Sequence, residues 1–249
     1  YMKNVRRVLE PSCGSCEYIT ALCSRYSNLD ITGIEFNKTI YQSIQNLATE
    51  KTMLYNEDFL KRQNSGGYDL ILGNPPYFVM KKQDVDPMFQ DYFDGRPNIF
   101  ILFIIKSLNL LNENGVLSFV LPKNFLNCLY YDKTRKYINN HFQIIDISEC
   151  NDDYIETKQD TIIVIVQKVQ EDNIDNRKFY ISNGDYLIFG TPQHIVQLNK
   201  LYLNSTTLNK LGFHISVGGG GTSSTIKIPE DDTKFEMYNG APTSLPGNN

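Results

Sequence analysis

The chain has 249 residues, 41% of them hydrophobic, enough for one large α/β domain with its own core and a smaller appendage. A net charge of −4 excludes a uniformly basic coat, so a nucleic-acid partner would have to meet a local positive cleft. Five unevenly spread cysteines exclude a disulfide framework, and no apolar run reaches the roughly 18 residues of a membrane span, so the chain reads as soluble and cytoplasmic.

A short apolar strand, Val5 to Leu9, opens the chain and runs into the loop Glu10-Pro11-Ser12-Cys13-Gly14, followed by a helix from Ser15 to Tyr26. Here backbone N–H groups and a helix N-terminus meet, a place for a ligand. The loop lacks the G-x-G-x-x-G that a dinucleotide pyrophosphate needs, which argues against a nicotinamide cofactor. Cys13 and Cys16 form a lone C-x-x-C, with no second pair and no histidine at zinc spacing, so no metal site is read. The histidines at 141, 194 and 214 are scattered and receive no catalytic task.

A second strand, Ile31 to Ile34, ends in Glu35-Phe36, and Asn37 caps a helix that runs to Ala48. Glu35 falls 21 residues after Gly14, where an acid can accept from both hydroxyls of a ribose. A third strand, Thr52 to Tyr55, leads to Asp58-Phe59, a carboxylate for an adenine amino group and a ring for its face. Taken alone, Glu35 is also readable as a solvated strand-end acid and Asp58 as a helix cap. After the loop Gln63 to Gly67, the fourth strand Tyr68 to Leu72 enters Asn74-Pro75-Pro76-Tyr77. Two prolines fix φ and keep the residues before them out of the helical region. The stiff turn can aim the Asn74 side-chain oxygen and the Pro75 carbonyl at one NH₂ group, which is what a planar amino nitrogen needs to attack a methyl. Tyr77 adds a flat face for an aromatic base, a role that asks nothing of its hydroxyl.

A helix from Asn98 to Leu111 is apolar nearly all round and is expected between layers. Gly115 to Leu121 is a strand, Asp132 to Asn140 a helix, Gln143 to Ile147 a strand, and Thr161 to Val169 a buried β-branched strand. Strands alternating with helices predict a doubly wound, mostly parallel, seven-stranded Rossmann-like sheet. Three regions are expected: a catalytic domain over 1–170, a connecting segment over 171–205 with a helix from Thr191 to Leu203, and residues 206–249 beyond.

Val8-Leu-Glu-Pro-Ser-Cys-Gly14, Thr32-Gly-Ile-Glu35, Glu57-Asp-Phe-Leu60 and Asp69-Leu-Ile-Leu-Gly-Asn-Pro-Pro-Tyr77 follow one another in a known order. Together they resemble the S-adenosylmethionine-dependent DNA adenine-N6 methyltransferases of the gamma class. The resemblance continues through Asn98-Ile-Phe, Gly115 to Pro122 and Asp153 to Thr161, and so covers roughly residues 5 to 170. It implies that the donor's methionine part lies over Glu10, Pro11, Ser12, Cys13 and Gly14. Its ribose would lie on Glu35 with Phe36 alongside, and its adenine beside Asp58 and Phe59. Asn74, Pro75, Pro76 and Tyr77 would carry the chemistry on an adenine flipped from double-stranded DNA, with Asn74 also among the residues that meet the donor. Tyr154 matches an aromatic that contacts that base. A companion restriction endonuclease is the partner such enzymes have.

Relatives carry an earlier segment over the donor's methionine end, whereas here only nine residues precede Glu10. The sequence is therefore read as a fragment, or as one whose missing segment is supplied otherwise. Leu211 to Ser216 looks like the start of a target-recognition domain, partial or atypical over 206–249. Methylation of a protein glutamine amide or of an RNA amino group shares the Asn-Pro-Pro-Tyr logic. A catalytically silent DNA-binding or scaffold homologue is the alternative of another class.

Overall fold

The computed structural model describes residues 4–63, 66–150, 160–203, 205–206, 211, 214–217 and 224–227. It divides into two compact units, residues 1–197 and 198–249. In the first, runs of Val, Ile and Leu form seven strands: β1 (Arg7–Glu10), β2 (Asp30–Glu35), β3 (Thr52–Asn56), β4 (Tyr68–Gly73), β5 (Leu111–Pro122), β6 (Gln143–Glu149) and β7 (Thr161–Gln167). They make one sheet in the order β3-β2-β1-β4-β5-β7-β6. Pairs among β1 to β5 are parallel, and β7 lies antiparallel between β5 and β6. The expected doubly wound, mostly parallel sheet is what forms.

Alternation along β1 and β2 sends Val8 and Ile31 to one face, and Leu9 and Ile34 to the other. Helix α1 (Glu17–Arg25) and helix α2 (Lys38–Ile44) bring Ile19 and Ile44 to the first face. Asn37 caps α2 as its sequence position requires, its side-chain oxygen accepting from Thr39 and Ile40 N–H at 2.9 and 3.2 Å. Helix α3 (Ile99–Asn109) is buried almost throughout, with Phe100 and Phe103 packed among Leu9, Ile71 and Phe119 of the second face.

The last turn of α3 and the start of β5 depart from expectation. The helix stops at Asn109 and the strand begins at Leu111, ahead of the polar residues Asn112 to Asn114. Asn112 earns its place in the strand by donating to the Asp69 carboxylate at 2.7 Å, next to the Tyr68↔Leu111 pair. A second departure is a hairpin, β8 (Tyr180–Asn183) with β9 (Tyr186–Phe189), inside the expected connecting segment. Its turn is Gly184-Asp185, with Gly184 at φ +61°, between two alternating apolar runs.

Arg135 of helix α4 (Asp132–His141) fastens that hairpin. Its fully buried guanidinium donates to the carbonyls of Leu187, Phe125 and Cys128 at 2.7, 2.9 and 2.8 Å. Asp132 sits 3.4 Å away and also accepts from the Leu187 N–H. Lysine cannot reproduce that fork. Arg135→Lys is expected to cost about 2–3 kcal/mol, read as a lower urea midpoint with an unchanged slope.

Helix α5 (Pro192–Leu203) follows the hairpin. In the second unit, β10 (His214–Val217) and β11 (Ser224–Lys227) pair antiparallel, His214 opposite Lys227. Among the described residues no helix is long and apolar enough to cross a membrane.

Candidate active site

The chain leaves β1 toward β2 on one side of the sheet, while β4 and β5 lie on the other. At such a reversal the carboxyl ends of the two central strands diverge and open a crevice. Val8 pairs with Leu70 and Leu9 with Ile71, a register that carries Glu10 alongside Leu72 and brings Ser12 beside Asn74. Gly73 makes the exit possible. Its φ of +152° suits only glycine, and a Cβ there would come 3.6 Å from Glu10 Cγ and 3.8 Å from Pro11 Cδ. The Ser12 hydroxyl donates to the Asn74 main-chain carbonyl at 3.1 Å, tying the two loops together.

Glu35, at the end of β2, closes the neighbouring side. Its carboxylate accepts from Gly14 N–H at 3.0 Å and from Asn37 N–H at 2.6 Å. The acid thus stands at the mouth of the crevice with its orientation set by two backbone donors. Gly14 takes a φ of +50°, which turns its N–H toward Glu35.

Glu10 is only 2% exposed, and its Oε2 is buried without a hydrogen-bond partner among the described residues. Burial pushes its carboxyl up to about 9, and the charges of Cys16 and Glu17 add to the rise. The Ile19 backbone bond to the carboxyl opposes that rise, and the one buried oxygen left without a partner suits a cationic ligand group. Cys13 and Cys16 are also buried, on the α1 face of the sheet. The hydrogen bond between their sulfurs raises the Cys13 thiol and lowers that of Cys16. Only the backbone of Cys13 therefore belongs to the loop, donating to Ile34 O at 2.9 Å.

Asn74 is exposed at the crevice, Pro75 is buried, and Pro76 and Tyr77 are half-buried. The Tyr77 ring meets Phe100 edge-on at 6.1 Å. Its hydroxyl reaches the Val120 carbonyl at 2.8 Å and also touches the Asn74 side chain.

The family model for Eco57I restriction-modification methylases matches residues 15–155. The chain belongs to that family. The type II methyltransferase M.AccI of Acinetobacter calcoaceticus is 27% identical over 192 residues, which cover 70% of this chain and 36% of M.AccI. Modification methylase CviBIII of Paramecium bursaria Chlorella virus NC1A is 32% identical over 148 residues, 56% of this chain and 38% of CviBIII. This chain thus spans little more than a third of the length of either curated relative. A Listeria monocytogenes protein assigned to the class I S-adenosylmethionine-dependent methyltransferases shares the fold. Its TM-score is 0.56 at 18% identity, over 69% of this chain and 56% of its own.

In this chain the structure brings most of the expected site together: Glu10 to Gly14, Glu35, Phe36 and Asn74 to Tyr77 all lie at the carboxyl ends of β1, β2 and β4. Phe59, expected to lie on an adenine, is 2% exposed and packed against Phe103 at 5.0 Å, with the Lys106 ammonium over its ring. A ring that ends an apolar strand region in Asp-Phe is drawn into the core by its hydrophobicity. Phe36, 76% exposed, is the ring open to a ligand. Asp58 accepts from Leu60 N–H at 2.9 Å in a turn after β3. Tyr154 lies outside the described residues, as do residues 212 and 213 of the stretch Leu211 to Ser216. Sequence reasoning missed the Val120 carbonyl as an anchor for Tyr77. A main-chain atom carries no residue signature, so nothing in the sequence could have marked it.

Proposed function

We propose that this methylase transfers the methyl of S-adenosylmethionine to the N6 amino group of an adenine turned out of duplex DNA. The observation that carries the reading is the junction of Ser12 with Asn74, which sets the donor loop and the amine-binding loop within one hydrogen bond of each other. Glu10 would face the donor's charged methionine end, Glu35 its ribose, and Phe36 its adenine. S-adenosylmethionine supplies an electrophilic methyl on a sulfonium leaving group.

The remaining work falls to the chain's own residues. An adenine amino nitrogen shares its lone pair with the ring and is a poor nucleophile, and its N–H is far too weak an acid for any side-chain base. Asn74 and the Pro75 carbonyl each accept one N–H and favour a pyramidal nitrogen, with its lone pair aimed at the methyl. That interaction strengthens in the transition state, where it counts for rate. The proton leaves after transfer, once the nitrogen is cationic. Extruding the base costs a few kcal/mol, on the order of what one or two stacks at about 1–3 kcal/mol each offset. Tyr77 is assigned one stack and Tyr154 a second contact. Residues 206–249 are assigned to target recognition, and a companion endonuclease to the same system.

Tritiated donor incubated with duplex DNA, RNA and a protein release factor separates the readings. Label is expected in duplex DNA, recovered as N6-methyladenine. Label confined to RNA or protein, or none in any of the three, contradicts the proposal.

A further inference from the structure

Tyr77 Oη lies 2.8 Å from the Val120 carbonyl oxygen and beside the Asn74 side-chain oxygen. A phenol has one proton, and a carbonyl can only accept. If the proton points to Asn74, lone pairs of Oη and Val120 O face each other at a distance where only a hydrogen bond is attractive. If it points to Val120, the atom of Asn74 next to Oη must be a donor. Oxygen and nitrogen of a carboxamide exchange by a half-turn that leaves the shape unchanged. One arrangement alone makes both contacts attractive: Tyr77 donates to Val120, and the Asn74 NH₂ donates to Tyr77.

We propose that the Tyr77 hydroxyl, anchored on the Val120 carbonyl, holds the Asn74 amide with its NH₂ toward the tyrosine and its oxygen toward the target amino group. Tyr77 is then a positioning residue as well as a stacking one. It fixes which end of an ambiguous amide faces the substrate. Without it, Asn74 can present a donor where an acceptor is needed, and that orientation repels the incoming N–H. The inference rests on Asn74 being the acceptor assigned above.

Tyr77→Phe keeps the ring and removes only the hydroxyl. Its kcat is expected to fall about tenfold, with KM for duplex DNA and donor affinity unchanged within about twofold. A second readout does not depend on turnover. In ¹⁵N-labelled protein, the Asn74 side-chain NH₂ pair, identified by its loss in Asn74→Ala, is expected to exchange with solvent faster in Tyr77→Phe than in wild type. A phenylalanine variant with full kcat, or one that changes KM alone, overturns the proposal, as does an Asn74 NH₂ signal indifferent to the substitution. Should wild type label no DNA, the functional reading fails while the exchange comparison still decides the amide's orientation.

Discussion

Asn74→Ala is expected to lower kcat by about 10²–10³-fold and to leave S-adenosylmethionine binding intact within about twofold. The side chain is exposed at the crevice, and no donor-binding group depends on it. Ser12 is tied to the main-chain carbonyl of residue 74, a bond that alanine keeps. Pro75 and Pro76 hold the turn whatever residue precedes them. Alanine therefore removes the acceptor proposed for the reacting amine and its contact with the Tyr77 hydroxyl, and leaves the turn in place. Single-turnover transfer of tritiated methyl to duplex DNA reads the first effect, and isothermal calorimetry with donor alone reads the second. Equal losses in both would mean that residue 74 shapes the donor pocket and that the separation of tasks is wrong.

The placement of the two loops was largely legible in the sequence. The Asn-Pro-Pro-Tyr turn follows an apolar strand, and a strand in this architecture delivers its last residue to the ligand end, so position along the chain already implied position in the site. Asn37 signalled its helix because a cap is local chemistry, settled within three residues. The burial of Phe59 was not legible, because Asp-Phe at a strand end does not tell whether a ring turns to solvent or to core, and Phe103 lies too far along the chain to be seen. The β8–β9 hairpin had its signal in alternation around Gly184-Asp185, which a polar flank obscured. The start of β5 had none, since three polar residues in a strand make sense only once Asp69 is known to stand beside them. The anchor of Tyr77 was invisible for a different reason. It is a contact to backbone, and it gives the hydroxyl a task that stacking alone would not demand.

Glu10 carries the other large effect, and its sign can be worked out from burial. A carboxyl whose folded value is about 9 against an ordinary 4.5 favours the protonated folded state. The donor-free protein therefore loses stability as pH rises from about 4.5, and the loss levels off above about 9. Glu10→Gln supplies a neutral isostere with the same shape. It is expected to stabilise the donor-free protein at pH 8 by on the order of a few kcal/mol and to flatten this part of the pH dependence, as urea unfolding at pH 5 and pH 8 would read. Donor binding runs the other way. An ammonium and a sulfonium brought near Glu10 favour its carboxylate, so wild type should release a proton on binding and bind more tightly as pH rises toward 9. The glutamine variant should bind more weakly at pH 8 and release none. Calorimetry in two buffers of different ionisation enthalpy counts that proton. A variant that is more stable yet binds the donor as tightly as wild type would leave Glu10 a buried acid with no part in holding the donor. One that is less stable at pH 8 would show that the carboxylate is already satisfied inside the fold.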